Sequence, residues 1–399
     1  MKRFSMIPVL LSLAVAAGPE IGGTFAVDAG LRPADLTTLP TEARLTLRVQ
    51  QDLEDAGLIA ELRVSPEGIG LGEAYAQFYL GPVDLSVGRI IVHTGRLDYF
   101  APLDAFNPKD LSRPTTDPTQ QKIPLEAIEL AYYLEDAELQ LLLAPRFVPS
   151  IPPQGEWARP SPLPAGVVRV EETLPAPLLT NAVIGVRATT SLDLLNGLDL
   201  GATLLRTFTP FPGLKALLDA TDPERPCPDP TTGPCLAVLG HDRLTLLGGD
   251  LALAFELPPT QGEFLLRAEG AVGITADLAG RNPWVADGYY EGALELEHTL
   301  PEGPTLIALY HGRYLPSAGW THHLGVLLHH EADERTVLEA AWLHNLSDGS
   351  GTLLPRARYQ LTDGAWAELR LLTFYGPDTS EFGVWRELGQ LGAGLRFAF

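Results

Sequence analysis

The chain has 399 residues, 45% hydrophobic and 20% charged, with 39 Gly, 35 Pro and two Cys. That hydrophobic share excludes wholesale disorder, and two cysteines make neither a disulfide scaffold nor a zinc ribbon. A formal charge of −22 excludes a nucleic-acid partner, which needs a basic surface to displace counterions.

Lys2 and Arg3 precede an apolar stretch, Met6 to Ala17, that closes on Ala14-Val15-Ala16-Ala17. A basic start, a short apolar centre and small residues at the end describe a secretory signal peptide over 1–17. Cleavage removes two cations, Lys2 and Arg3, taking the formal charge from −22 to −24. Residues 18–399 are then exported. No later apolar run approaches the ~20 residues of a spanning helix, so any membrane crossing is made by strands.

Past residue 20 the dominant signal has period two, which sends side chains alternately to opposite faces of a sheet. Leu45, Leu47 and Val49 alternate with Arg44, Thr46, Arg48 and Gln50. Val186 and Ala188 alternate with Arg187 and Thr189; Leu251, Leu253 and Phe255 alternate with Asp250, Ala252 and Glu256. The last segment sets Leu395, Phe397 and Phe399 against Gly394 and Arg396. Charges recurring at mid-strand are expensive in a sandwich core and at home in a water-filled lumen. About 18 such segments run from 21–30 to 385–399, an even number suited to a pore-forming barrel, with 16 the nearest alternative. The expected fold is therefore all-β: one transmembrane antiparallel up-and-down barrel over 18–399.

The connections sort by length. Even-to-odd links are tight, as at Asp55-Ala56, Gly81-Pro82, Glu135-Asp136 and Thr362-Asp363-Gly364. The long loops, near 95–123, 147–178 and 208–241, are all odd-to-even. Long loops on one rim and short turns on the other are the membrane-barrel pattern, with the long loops extracellular. Cys227 and Cys235, eight positions apart in a Pro-rich stretch of one such loop, are candidates for a disulfide in an exported protein, with a reduced pair as the alternative.

Leu395-Arg396-Phe397-Ala398-Phe399 resembles the C-terminal strand of bacterial outer-membrane barrels. That resemblance implies an outer-membrane location, a lipid bilayer around the wall, and recognition of Phe399 by the outer-membrane assembly machinery. Val87-Gly88-Arg89, then Asp104-Ala105-Phe106-Asn107-Pro108-Lys109-Asp110 and Lys122-Ile123-Pro124, resemble a Gly-Arg strand, an Asp-x-x-Asn-Pro-x-Asp loop and a Lys/Arg-x-Pro opening of porin-like barrels. The detailed likeness covers 83–160 and the terminal strand.

The loop from Gly95 to Ile123 is the leading functional element. Asp104, Asn107, Lys109, Asp110 and Arg113 carry both charge signs in a loop long enough to fold inward, where it would narrow a pore and set selectivity. The competing reading makes them turn and capping residues, because Asn107-Pro108 starts a turn and Asp104 suits a cap. Expected lumen charges include Arg44, Arg48, Arg63, Arg187, Asp250, Glu256, Glu291, Glu295, Glu297 and Arg396. They are either simple hydration of an inward face or a transverse field, with Arg on the earliest strands and acids on later ones.

Six of nine histidines fall in three consecutive strands. His311, His323 and His344 lie towards the long-loop rim and are the residues that would hold a transition metal. The preferred reading assigns no metal and places His322 and His330 at the membrane interfaces, where amphipathic rings belong.

No Gly-x-Ser-x-Gly, Walker loop or His-Glu-x-x-His occurs, and no nucleophile–base–orienter set can be named. The sequence therefore points away from an enzyme and calls for no cofactor. It points to a porin-like diffusion channel for small hydrophilic solutes or ions, weakly cation-preferring. A substrate-specific or gated transporter and a structural surface barrel are the alternatives, and a homo-oligomer is compatible with each.

Overall fold

Alternation closes the chain into a ring. The computed structural model describes residues 18–113, 118–160, 163–194, 197–256, 262–300 and 303–399; the segment 1–17, expected to be a signal peptide, lies outside them. The first strands are β1 (Glu20–Arg32), β2 (Thr37–Leu53), β3 (Ala56–Ser65), β4 (Gly68–Leu80), β5 (Val83–Ile90), β6 (Leu125–Tyr133) and β7 (Ala137–Ala144). They are followed by β8 (Val167–Thr173), β9 (Val183–Leu192), β10 (Leu198–Phe208), β11 (Gly213–Asp219), β12 (Cys235–Gly240) and β13 (Arg243–Glu256). The last are β14 (Glu263–Ile274), β15 (Tyr289–Thr299), β16 (Thr305–Leu315), β17 (Gly319–Asp333), β18 (Thr336–Asn345), β19 (Ser350–Thr362), β20 (Ala365–Tyr375) and β21 (Gln390–Ala398).

Eighteen of these form one sheet of antiparallel neighbours. The ring is closed by β1 pairing with β21, where Phe25 faces Phe397 and Asp28 faces Gly394. Closure satisfies every strand edge, as a barrel in hydrocarbon requires. The 18-stranded barrel read from the alternation is thus the observed fold. The wall's outward positions are apolar and open, among them Leu141, Leu204, Leu247, Leu294, Val326 and Leu369. The inward positions of the same strands carry the charges.

Strand limits differ where side chains replace the ladder. β5 stops at Ile90 because the Ile91 amide donates to Glu73 Oε1 (2.9 Å) and the Val92 amide to Asn107 Oδ1 (2.8 Å). The expected loops 147–178 and 208–241 are not structureless. β8, β11 and β12 make a separate three-stranded sheet, with β12 parallel to β8 and antiparallel to β11. Cys227 and Cys235 are joined by a disulfide there, with Cα atoms 5.3 Å apart.

The principal apolar core is inside the barrel. Leu125, Ala127, Leu142, Ala144, Val183, Leu205, Leu246 and Ala271 project inward from six neighbouring strands and would meet water if left bare. The β5–β6 loop covers them with Val92, Leu103 and Phe106, each at most 2% exposed. Burying a Leu or Phe side chain stabilises by about 1.5–3 kcal/mol, so these three anchors hold the loop inside the lumen.

Candidate constriction site

The inward loop spans residues 91–124, and its two ends are drawn together by Asn107. Its Nδ2 donates to the carbonyls of Ile90 and Ile123, both at 3.0 Å, while Oδ1 takes the Val92 amide. An Asn side chain offers both donors and acceptors, and here it bonds both arms at once. Lys122, 4% exposed, pairs with Asp104 at 2.7 Å and reaches His93 Nδ1 at 2.8 Å. Burial pushes the Lys122 ammonium below its usual pKa, with the Asp104 carboxylate opposing that push. Burial, then the Lys122 charge, likewise lowers His93, which suits its ring nitrogen to accept.

Beyond these anchors the loop crosses to β13–β17. Glu269 of β14 accepts the backbone amides of Arg96, Leu97 (2.9 Å) and Leu103 (3.0 Å). Arg96 pairs with Asp250 and, at 3.3 Å, with Asp199. Asp250 also receives Arg187, through Nη1 at 2.7 Å and Nη2 at 3.0 Å. Tyr99 donates its amide to Glu295, and Arg267 joins Asp98, Glu295 and Glu297. Phe100 stacks on His311, with ring centroids 4.3 Å apart.

The acids of β13–β15 are therefore largely compensated. Carboxylates taken out of water beneath a loop need cations or several N–H donors, and Arg96, Arg187, Arg267 and four amides supply them. Across the ring lie the arginines of β2 and β3. β14 is the eleventh barrel strand and β2 the second, nine places apart in a ring of 18. Arg44 and Arg63 keep side-chain exposures of 48% and 45%, each with a short contact to an acid on its own strand, Glu42 and Glu61. Arg48 makes no ion pair among the described residues. Glu256 is exposed on the inward face of β13, and Arg396 lies 3.6 Å from Glu368.

The five loop candidates separate by role. Asp104, Asn107 and Lys109 line a cavity of about 780 Å³ between the loop and the long-loop rim, with Arg281, Asp287, Glu291 and Arg313 also facing it. Asp110 accepts the Ser112 amide at 2.9 Å, an Asx turn. Arg113 reaches the rim, pairing with Glu42 and with Glu67 at 2.7 Å.

The histidine trio does not assemble. His311 and His323 are cross-strand partners facing the lumen, whereas His323 is opposite Asn345, so His344 falls on the outer face. There its Nδ1 meets the Tyr375 hydroxyl at 3.0 Å beside Trp342. Arg96, Asp98, Phe100, Arg267 and Glu269 were not among the sequence candidates. Gly95-Arg96-Leu97-Asp98 was the available signal, a loop segment with both charge signs at the inward tip.

No family model matches the chain, and no curated protein matches it. Solved structures do share its fold. OccK10 (OpdN) of Pseudomonas aeruginosa superposes with a TM-score of 0.57 at 8% identity, over 96% of this chain and 99% of that one. The outer membrane protein opdK of the same organism gives 0.55 at 8% identity, over 96% and 99%. OccAB4 of Acinetobacter baumannii gives 0.55 at 9% identity, over 96% and 97%. At these identities the likeness carries the fold alone.

Proposed function

We propose that the protein is an outer-membrane channel of porin type, passing small hydrophilic solutes or ions by diffusion past the 91–124 loop. The observation that carries this is the half-exposed arginine wall of β2–β3, facing a loop fastened to the opposite side. A lumen filled by its loop would bury both walls; one that stays wet on one side leaves a passage. The apolar exterior of the ring supports the membrane setting, and the terminal strand ending in Phe399 is the signal proposed for its assembly. A mature charge of −24, with Glu256 and Glu297 inward, favours cations, while Arg44, Arg48 and Arg63 oppose that preference and keep it weak.

The 780 Å³ cavity above the loop supports a second reading, a substrate-specific or gated transporter. Conductance of the purified protein in planar bilayers separates the two. Steady ohmic steps support the diffusion channel, silence relieved by one solute supports the transporter, and unrelieved silence refutes both.

A further inference from the structure

We propose that His311 and His323 form a two-histidine transition-metal site beneath Phe100. The two residues are direct cross-strand partners on β16 and β17, each 5% exposed. His311 Nε2 lies 2.8 Å from Glu291 Oε1, and His323 Nε2 lies 2.7 Å from Glu381 Oε2. A carboxylate only accepts, so each Nε2 carries the proton and each Nδ1 presents a lone pair. Those two Nδ1 atoms face one another at 3.2 Å. Two lone pairs at that distance repel unless a proton or a metal ion lies between them.

The geometry suits the ion. With metal–nitrogen bonds of about 2.0–2.1 Å, nitrogens 3.2 Å apart subtend about 100° at the metal, close to tetrahedral. Carboxylates behind both imidazoles are the outer partners that orient ligating histidines and raise their basicity. Glu291 and Glu381 bring two negative charges to the site, shared with Arg313 and Arg159, each 3.9 Å away. Phe100 covers the ring faces, at 4.3 and 5.3 Å. Glu291, which contacts His311, also lines the 780 Å³ cavity, so that cavity reaches the carboxylate behind the site. Among the described residues no third His, Cys, Asp or Glu converges to make a three-ligand site, so water completes the coordination. Zn²⁺ and Cu²⁺ are the ions that imidazole nitrogens suit. The site stands whether or not the barrel conducts.

The test uses the full mature chain, without a polyhistidine tag, folded in detergent. Calorimetric titration with Zn²⁺ at neutral pH should show one saturable site, weakened at least tenfold in both His311→Gln and His323→Gln. Heat-modifiable gel mobility reports whether each variant is folded. Electron paramagnetic resonance of Cu²⁺ on the wild type needs no variant and should show coupling to two nitrogens. Absence of saturable binding to the folded wild type, unaltered affinity in both folded variants, or coupling to a single nitrogen overturns the assignment.

Discussion

Glu269 of β14 accepts the amide of Leu103 at 3.0 Å from the far arm of the inward loop, and the same carboxylate holds Leu97 at 2.9 Å from the near arm. One side chain thus bonds both sides of the loop tip to the wall. Asp250 does the matching work for side chains, since Arg96 comes from the loop and Arg187 from β9. The loop's position is set by acids of the wall and only secondarily by its own turn residues.

Glu269→Ala leaves the buried amides of Leu97 and Leu103 without partners. An orphaned buried donor costs about 1–3 kcal/mol, so the variant should lose about 3 kcal/mol in urea unfolding from micelles. An unchanged midpoint would show that the loop's apolar anchors hold it alone.

Lys122→Met should destabilise by about 3 kcal/mol, because it leaves the Asp104 carboxylate buried without its cation. Adding Asp104→Asn to that variant should recover most of the loss. Denaturant unfolding of the wild type, the two single variants and the double variant closes the cycle, and a double-variant loss equal to the sum of the two single losses would exclude coupling.

Leu253→Arg should cost about 2–4 kcal/mol if that residue lies near the bilayer midplane, and Ala252→Arg far less. Asp250 meets the loop from inside, so Ala252 shares the lumen face and Leu253 faces hydrocarbon. Equal tolerance of both in a lipid-folding assay would contradict that register.

Reversal potentials in a KCl gradient should fall weakly on the cation side. Glu295→Gln with Glu297→Gln removes two acids that pair with Arg267, so the potential should move towards anions. A mouth effect fades as salt rises, being screened beyond about 8 Å at physiological ionic strength. An anion-selective wild type would refute the preference.

The ring was legible because period two reports faces directly: Arg187, Asp250 and Glu295 read as inward and are inward. β12 was not, because Cys235–Gly240 is a continuous apolar run in a buried, partly parallel sheet and shows no alternation. His344 was misplaced by one position of register, which is enough to exchange the two faces of a strand. The attachment of Leu97 to Glu269 joins positions 172 apart, and no local pattern signals it. Asn107 bonds Ile90, Val92 and Ile123, all 15–17 positions away, in place of a neighbouring turn amide, and which groups it meets depends on where β5 stops.

The central claim is that the 91–124 loop narrows a water-filled lumen. Single-channel conductance of the wild type and of folded Glu269→Ala, in the same salt, tests it most directly. Steady ohmic steps in the wild type, with larger and fluctuating steps once the loop tip is released, are the predicted result. A silent wild type, or identical steps in both proteins, would contradict it.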